Sequence, residues 1–246
     1  MQYSLVFICL MVLSFTLHAK CEDEARAGVN WTGCDKSDLD LAGVDLQGAI
    51  LRRVNFTNTN LSNARLQGAD LSFSVLENTK FIKSRMERAK LNNAKITQAD
   101  FSLAIMDSAR FSRAQIKKTS FKEGKLNKAD FYEAKVTESQ FESVQIDKAN
   151  FSRAKLVQAN FKKITGKNVI FDQADLEAAD FTDAILTSAK FVNANLLNVK
   201  FDNADLSSAS IQGAVIDGAS FTGAKLSSTI WVKYKRCRNG SISVCE

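Results

Sequence analysis

From Leu41 to Trp231 every fifth residue is large and apolar, with a single exception at Gly166, so 38 of 39 successive positions keep one phase. Two residues ahead of each from Leu46 onward stands a small or β-branched residue, mostly alanine, as at Ala64, Ala69, Ala89, Ala94 and Ala99. The unit reads A-(D/N/K)-(L/F)-(S/x)-x, as in Ala69 to Ser72, Ala149 to Ser152 and Ala204 to Ser207. A spacing of five fits neither the helical period nor the alternation of a strand. It fits a chain that turns a corner after every unit. On a short extended side, residues two apart share a face, so the apolar residue and the small one before it point inward while the other three meet water.

The run of A-(D/N)-L-x-x units from 37 to 231 resembles the pentapeptide-repeat family. The resemblance implies an all-β fold, a right-handed quadrilateral β-helix (a pentapeptide-repeat solenoid) of about ten coils with four units each. At about 4.8 Å between neighbouring strands the rod would be about 47 Å long. Residues 20 apart then stack on one side, and they do so by type. Phe81, Phe101, Phe121, Phe141, Phe161, Phe181, Phe201 and Phe221 form one column, and Phe111, Phe131, Phe151, Phe171 and Phe191 form the opposite one. Two aromatic ladders facing each other across the core are expected, with aliphatic residues such as Ile96, Ile116, Val136 and Leu126, Ile146, Leu186 on the other two sides. Gly166 is expected to mark a bent or loosened coil, with Ile164 or Val169 filling the gap. Coil-to-coil backbone bonding also gives a reason for the complete absence of proline.

The termini add a compartment. Residues 4 to 17 are a continuous apolar run, followed from Cys21 by CEDEAR. This reads as an export signal over residues 1–19 with cleavage after Ala19, an uncleaved anchor being the alternative. The run is short of the roughly 20 residues that span a bilayer as a helix. A periplasmic or secreted location is expected. Loss of the signal removes Cys9 and leaves Cys21, Cys34, Cys237 and Cys245, which allow three pairings. Cys21 with Cys34 and Cys237 with Cys245 is preferred, since each closes a short loop. A zinc site is the rival, without a C-x-x-C or a histidine to support it. Segments 20–36 and 232–246 are expected to cap the β-helix of 37–231, whose ends would otherwise expose core and unpaired backbone. Trp31, Gly33, Cys34 and Asp35, then Cys237, Gly240, Ser241, Ile242 and Cys245, resemble the flanks of exported bacterial members of the family.

The chemistry of the remaining residues is restrictive. His18 is the only histidine and lies in the signal, so the mature chain has no histidine base and no Ser-His-Asp or Cys-His arrangement. Phosphate-loop, HExxH and EF-hand patterns are missing as well. Asp172, Asp175, Glu177, Asp180 and Asp183 are dense enough to suggest a cation, but the repeat itself places an acid at 175 and 180. No catalytic residue, metal, cofactor or small-molecule substrate is expected.

Charge is the most informative surface feature. The chain carries 33 Lys and Arg against 27 Asp and Glu, a net charge of +6. Thirteen of the cations, with four acids, fall between 80 and 128. Lys80, Lys83, Arg85, Arg88, Lys90, Arg110, Arg113, Lys117, Lys118, Lys122, Lys125 and Lys128 are the candidate partner-binding residues. They serve either as a solvated surface or as a docking site for an acidic protein or an anionic envelope component. Exposed aromatics are sparse there, which disfavours nucleic acid. The leading reading is a non-catalytic exported structural or interaction module presenting a charged β-helical surface to a protein or envelope partner, with a homodimer through one solenoid end as a further option. The alternative is a DNA-mimicking protein that interacts with a topoisomerase (gyrase). Family members of that kind are negatively charged rods, and both the net charge and the export signal oppose it here.

Overall fold

The computed structural model describes residues 21–246; the expected signal, with Cys9 and His18, lies outside them. Within them each five-residue unit repeats one backbone cycle. The inward apolar residue donates its N–H one coil ahead, as Leu71 does to the Lys90 carbonyl at 2.7 Å. The residue before it donates one coil back, as Lys90 does to Ala69 at 2.9 Å. Residues 20 apart are thereby paired in parallel from Asn30 with Ile50 through to Ser210 with Ile230. The N–H of the small residue closes the corner on the preceding apolar carbonyl, as Ala69 does on Leu66 at 3.0 Å.

The corner residue, two after the apolar one, has positive φ in every unit from Gly28 to Ser228, and most of these residues are not glycine. Over most of the winding only the residue directly after the apolar one has no backbone acceptor; where a side straightens into a strand the small residue that follows lacks one too, as at Thr119, whose N–H bonds Ser139 Oγ at 3.2 Å. Where the residue ahead of the apolar one is Asp or Asn, its Oδ1 takes that N–H: Ser72 on Asp70, Ser152 on Asn150 and Thr182 on Asp180, each at 3.0 Å. The Asp or Asn of the repeat is thus the acceptor for the one amide that the winding leaves over. Through most of the rod proline is excluded at the other four positions because their N–H groups are bonded, and at the corner by φ as well.

The four sides are conveniently named by their inward residues. The first runs from Leu41 to Phe221, the second from Leu46 to Leu226, the third from Trp31 to Trp231 and the fourth from Phe56 to Ile216, in steps of 20. On the fourth side four coils straighten into strands: β1 (Val75–Glu77), β2 (Lys95–Thr97), β3 (Gln115–Lys117) and β4 (Lys135–Thr137). They form one parallel sheet in the order β1-β2-β3-β4, with Leu76, Ile96, Ile116 and Val136 in register. β-branched centres flanked by Thr97 and Thr137 favour extension at these coils.

The core is the pair of aromatic ladders. Rings of the first side stack at 4.6 to 5.3 Å, and those of the third at 4.6 to 5.0 Å. Across the core the rings from Phe101 to Phe201 meet the opposite column edge-on, at 5.5 to 6.2 Å and 78 to 88°. Both the parallel-offset and the T-shaped arrangements favoured by the ring quadrupole are therefore made by the same side chains. At Gly166 the coil bond to Ile185 survives at 2.8 Å. A Cβ there would lie 2.6 Å from Val169 Cγ2 and 2.7 Å from Ile146 Cγ1. Of the two residues expected to fill the gap, Val169 does so, joined by Ile146 from the adjacent coil.

At the N-terminal end the regular winding begins at Gly28, which bonds Gln47 O at 2.8 Å, ahead of the boundary at 37 expected from sequence. Trp31 already holds an inward place, 1 % exposed, and Cys34 the small-residue slot. The apolar phase stops short of them because Lys36 stands at the intervening central position. It turns outward, with Nζ 4.0 Å above the Trp31 ring and bonded to the Cys21 carbonyl. Cys21 is joined to Cys34 and Cys237 to Cys245, with Cα separations of 5.5 and 4.8 Å. Beyond Trp231 the pairing changes sense, Lys225 with Ile242 and Ile230 with Arg236 being antiparallel. Among the described residues no helix is long and apolar enough to cross a membrane.

Candidate anion-binding surface

The basic run from 80 to 128 does not form one face. It winds through about two and a half coils, and its candidates fall on all four sides. Lys80, Lys83 and Lys122 lie on the first, Arg85, Arg88, Lys125 and Lys128 on the second, Lys90, Arg110 and Arg113 on the third, and Lys117 and Lys118 on the fourth.

What the winding does assemble is a column on the fourth side. Lys95, Gln115, Lys135 and Lys155 are in register on successive coils, on one edge of the β2 to β4 sheet and one coil beyond. Thr97, Lys117 and Thr137 follow the other edge, and a groove of about 380 Å³ runs between the two with Ile116 in its lining. Round the adjoining corner Arg113, Glu133 and Arg153 stack, lining a second groove of about 450 Å³ together with Gln115, Lys135 and Lys155. The two grooves share three residues, so the surface is continuous.

Counter-ions divide these cations into two kinds. Arg113 Nε bonds Glu133 Oε2 at 2.8 Å, and this bond, with a further one from Tyr132, holds Glu133 below the usual carboxylate range and raises Arg113. Lys117 and Lys118 lie 4.0 and 3.8 Å from Glu138, and Lys122 3.8 Å from Glu142. Among the described residues Lys95, Lys135 and Lys155 make no ion pair. Each exposed pair contributes little to stability, but it decides which charges are free for a ligand. Of the groove-lining lysines these three are free, ammonium groups on flexible stems; Lys135 and Lys155 are one coil repeat of about 4.8 Å apart, and Lys95 lies two repeats from Lys135 across Gln115.

Lys135, Arg153 and Lys155 lie beyond the run that sequence singled out, and Lys95, within it, stood outside the twelve candidates. The signal that finds them is their spacing by multiples of 20 rather than their density along the chain.

The acidic cluster is dispersed and structurally committed. Asp172 Oδ1 accepts the Val192 N–H at 3.0 Å, Asp175 the Asn195 amide at 2.9 Å and Asp183 the Asn203 amide at 3.2 Å. Asp180 is pushed up by partial burial, yet the Thr182 hydroxyl and N–H and the Lys162 ammonium at 3.2 Å outweigh this and hold it below its usual value. No group of three or more metal-ligating side chains converges among the described residues.

Square coils of four five-residue sides, closed by left-handed corners around stacked phenylalanines, define a right-handed quadrilateral β-helix. Two family models match it. "Pentapeptide repeats (8 copies)" covers residues 27–58 and 39–78, and "Pentapeptide repeat region" covers 75–151, 94–168 and 148–221. The chain belongs to the pentapeptide-repeat family. Among solved structures it is similar to HetL of the cyanobacterium Nostoc, a pentapeptide-repeat protein involved in heterocyst differentiation regulation. The two share 23 % identity over 87 % of this chain and 93 % of that one, with a TM-score of 0.49. It is also similar to QnrB1, a plasmid-mediated fluoroquinolone resistance protein (18 %, 75 % and 92 %, TM-score 0.35), and to Rfr23 of Cyanothece (19 %, 60 % and 90 %, TM-score 0.20). The search of curated proteins returned no match.

Proposed function

We propose that the protein is a non-catalytic, exported interaction module that holds a linear polyanion of the cell envelope along its lysine-lined fourth side. The observation that carries this reading is the column of Lys95, Lys135 and Lys155, aligned on and one coil beyond the straightened strands; none of the three is in an ion pair among the described residues, and Asp175, next in the column after Lys155, accepts from Asn195 instead. An open groove with cations at whole multiples of the coil rise suits a chain of phosphate or carboxylate groups better than one small molecule, which is normally enclosed by its site. Export is supported by the apolar run at residues 4–17 and by two disulfide-bonded cysteine pairs, which suit an oxidising compartment. A DNA-mimicking role is opposed by charge, since residues 80–167 hold 20 Lys and Arg against nine acids.

The test is binding of the mature chain to long-chain polyphosphate. Lys95→Glu/Lys135→Glu/Lys155→Glu should lose about tenfold or more in affinity, and raising the salt should weaken the wild type steeply. Lys80→Glu/Lys83→Glu/Lys122→Glu, the same charge change on the first side, should lose less than about threefold. Equal loss in both triples would mean that net charge alone is responsible, and the reading would fail.

A further inference from the structure

We propose that the C-terminal cap is a membrane-contact tip, which docks the rod end-on to an anionic lipid surface. The surface is separate from the lysine column and does not depend on its reading.

Residues 231–246 leave the last coil as a loop tied by Cys237–Cys245. The antiparallel contacts of Arg236 with Ile230 and Ile242 with Lys225 lay it across the end of the rod. The Lys235 ammonium bonds the Cys245 carbonyl at 3.1 Å and Arg238 N–H the Glu246 carbonyl at 2.9 Å, which holds the two halves together. The loop buries Cys237 and Ser241 and turns its larger apolar side chains outward: Tyr234 is 73 % exposed, Ile242 60 % and Val244 63 %. These are the three most exposed large apolar residues among those described. Tyr234 and Ser243 both have positive φ, so the apolar side chains stand on or beside tight turns.

The same loop is strongly cationic. Residues 225–246 hold Lys225, Lys233, Lys235, Arg236 and Arg238 against Glu246 alone. An aromatic and two aliphatic side chains on a segment that also carries these cations match the two requirements of interfacial binding, apolar insertion at the headgroup boundary and attraction to anionic headgroups. A tyrosine suits that boundary because its ring is apolar and its hydroxyl is wet. Each cation held near such a surface strengthens binding roughly fivefold. Apolar groups divided between two turns, Tyr234 on one and Ile242 and Val244 beside the other, suit insertion among lipids, whereas a protein partner needs a contiguous patch.

Sedimentation of the mature chain with vesicles tests this. Phosphatidylcholine vesicles with about one-third phosphatidylglycerol should carry the protein down at low salt, and pure phosphatidylcholine should bind it at least about tenfold more weakly. Tyr234→Ser/Ile242→Ser/Val244→Ser and, independently, Lys233→Glu/Arg236→Glu/Arg238→Glu should each abolish the pelleting while the urea melt stays that of the wild type. The triple glutamate variant of the fourth side should pellet normally. Three results would overturn the proposal: no pelleting with anionic vesicles at low salt, undiminished pelleting of both cap variants, or loss confined to the fourth-side variant. A fourth is concentration-dependent self-association of the wild type that the cap variants abolish without any vesicle binding, since the tip would then be a contact between copies.

Discussion

At the scale of single residues, the fold asks each side chain at a corner to accept a left-handed backbone. Asn and Gly do so readily; a branched or bulky residue does not. Leu103, with φ 62° and 41 % exposure, is strained there and has little to pack against. Leu103→Gly should therefore raise stability by about 1 kcal/mol, read as a higher urea midpoint. Phe73, with φ 63°, is in the same position, but the Arg52 and Arg53 guanidinium carbons lie 6.0 and 5.8 Å from its ring and partly compensate. Asp180 illustrates the other residue-level rule. Its folded value lies below 3.8, so its stabilisation is complete above the unfolded value and is lost as pH falls through the folded one. Wild-type stability should decline below about pH 4. Asp180→Asn, which keeps the Oδ1 acceptor for Thr182, should match the wild type less closely at neutral pH than at pH 3, as measured by thermal melts across that range.

At the scale of the five-residue side, position decides more than residue type. Gly166 is the one vacancy in the apolar phase, and restoring the repeat there looks harmless from sequence. The space has been taken by Val169 and Ile146, so Gly166→Leu should destabilise by about 1–3 kcal/mol, in chemical denaturation, despite improving the match to the pattern. Much of this scale was legible in the sequence. The ladders of Phe81 to Phe221 and Phe111 to Phe191 were readable because inward positions carry one strong preference, and a 20-residue count aligns them. The first coil was not, because Lys36 interrupts the phase where the rod meets solvent and a polar residue is tolerated. Nor was the lysine column: outward positions carry no packing signal, and a tally along the chain adds together cations that face four different ways. The left-handed corners were hidden for a similar reason, glycine marking only a minority of them.

For the molecule as a whole, charge is banded along the axis. Residues 21–79 hold five cations and nine acids, 80–167 twenty and nine, 168–224 two and eight, and 225–246 five and one. Contacts link residues one coil apart, so the rod behaves as a stack in which neighbours stabilise neighbours and distant coils are independent. Removing residues 171–190, one complete coil joining Ile170 to Phe191, should give a folded rod about 5 Å shorter. Small-angle scattering would measure the change, and a collapsed or unfolded profile would contradict it.

The constant winding has a geometric meaning beyond stability. Trp31 and Trp231, 200 positions apart, share a compass bearing because 200 is a whole number of revolutions. Sequence number divided by 20 leaves a remainder, and that remainder is an angle. Insertion of a single five-residue unit between Lys155 and Trp231 would swing the cationic tip through a quarter-turn relative to the lysine column, with almost no change in length. The chain thus sets the mutual aim of its two surfaces by arithmetic, as a dial does.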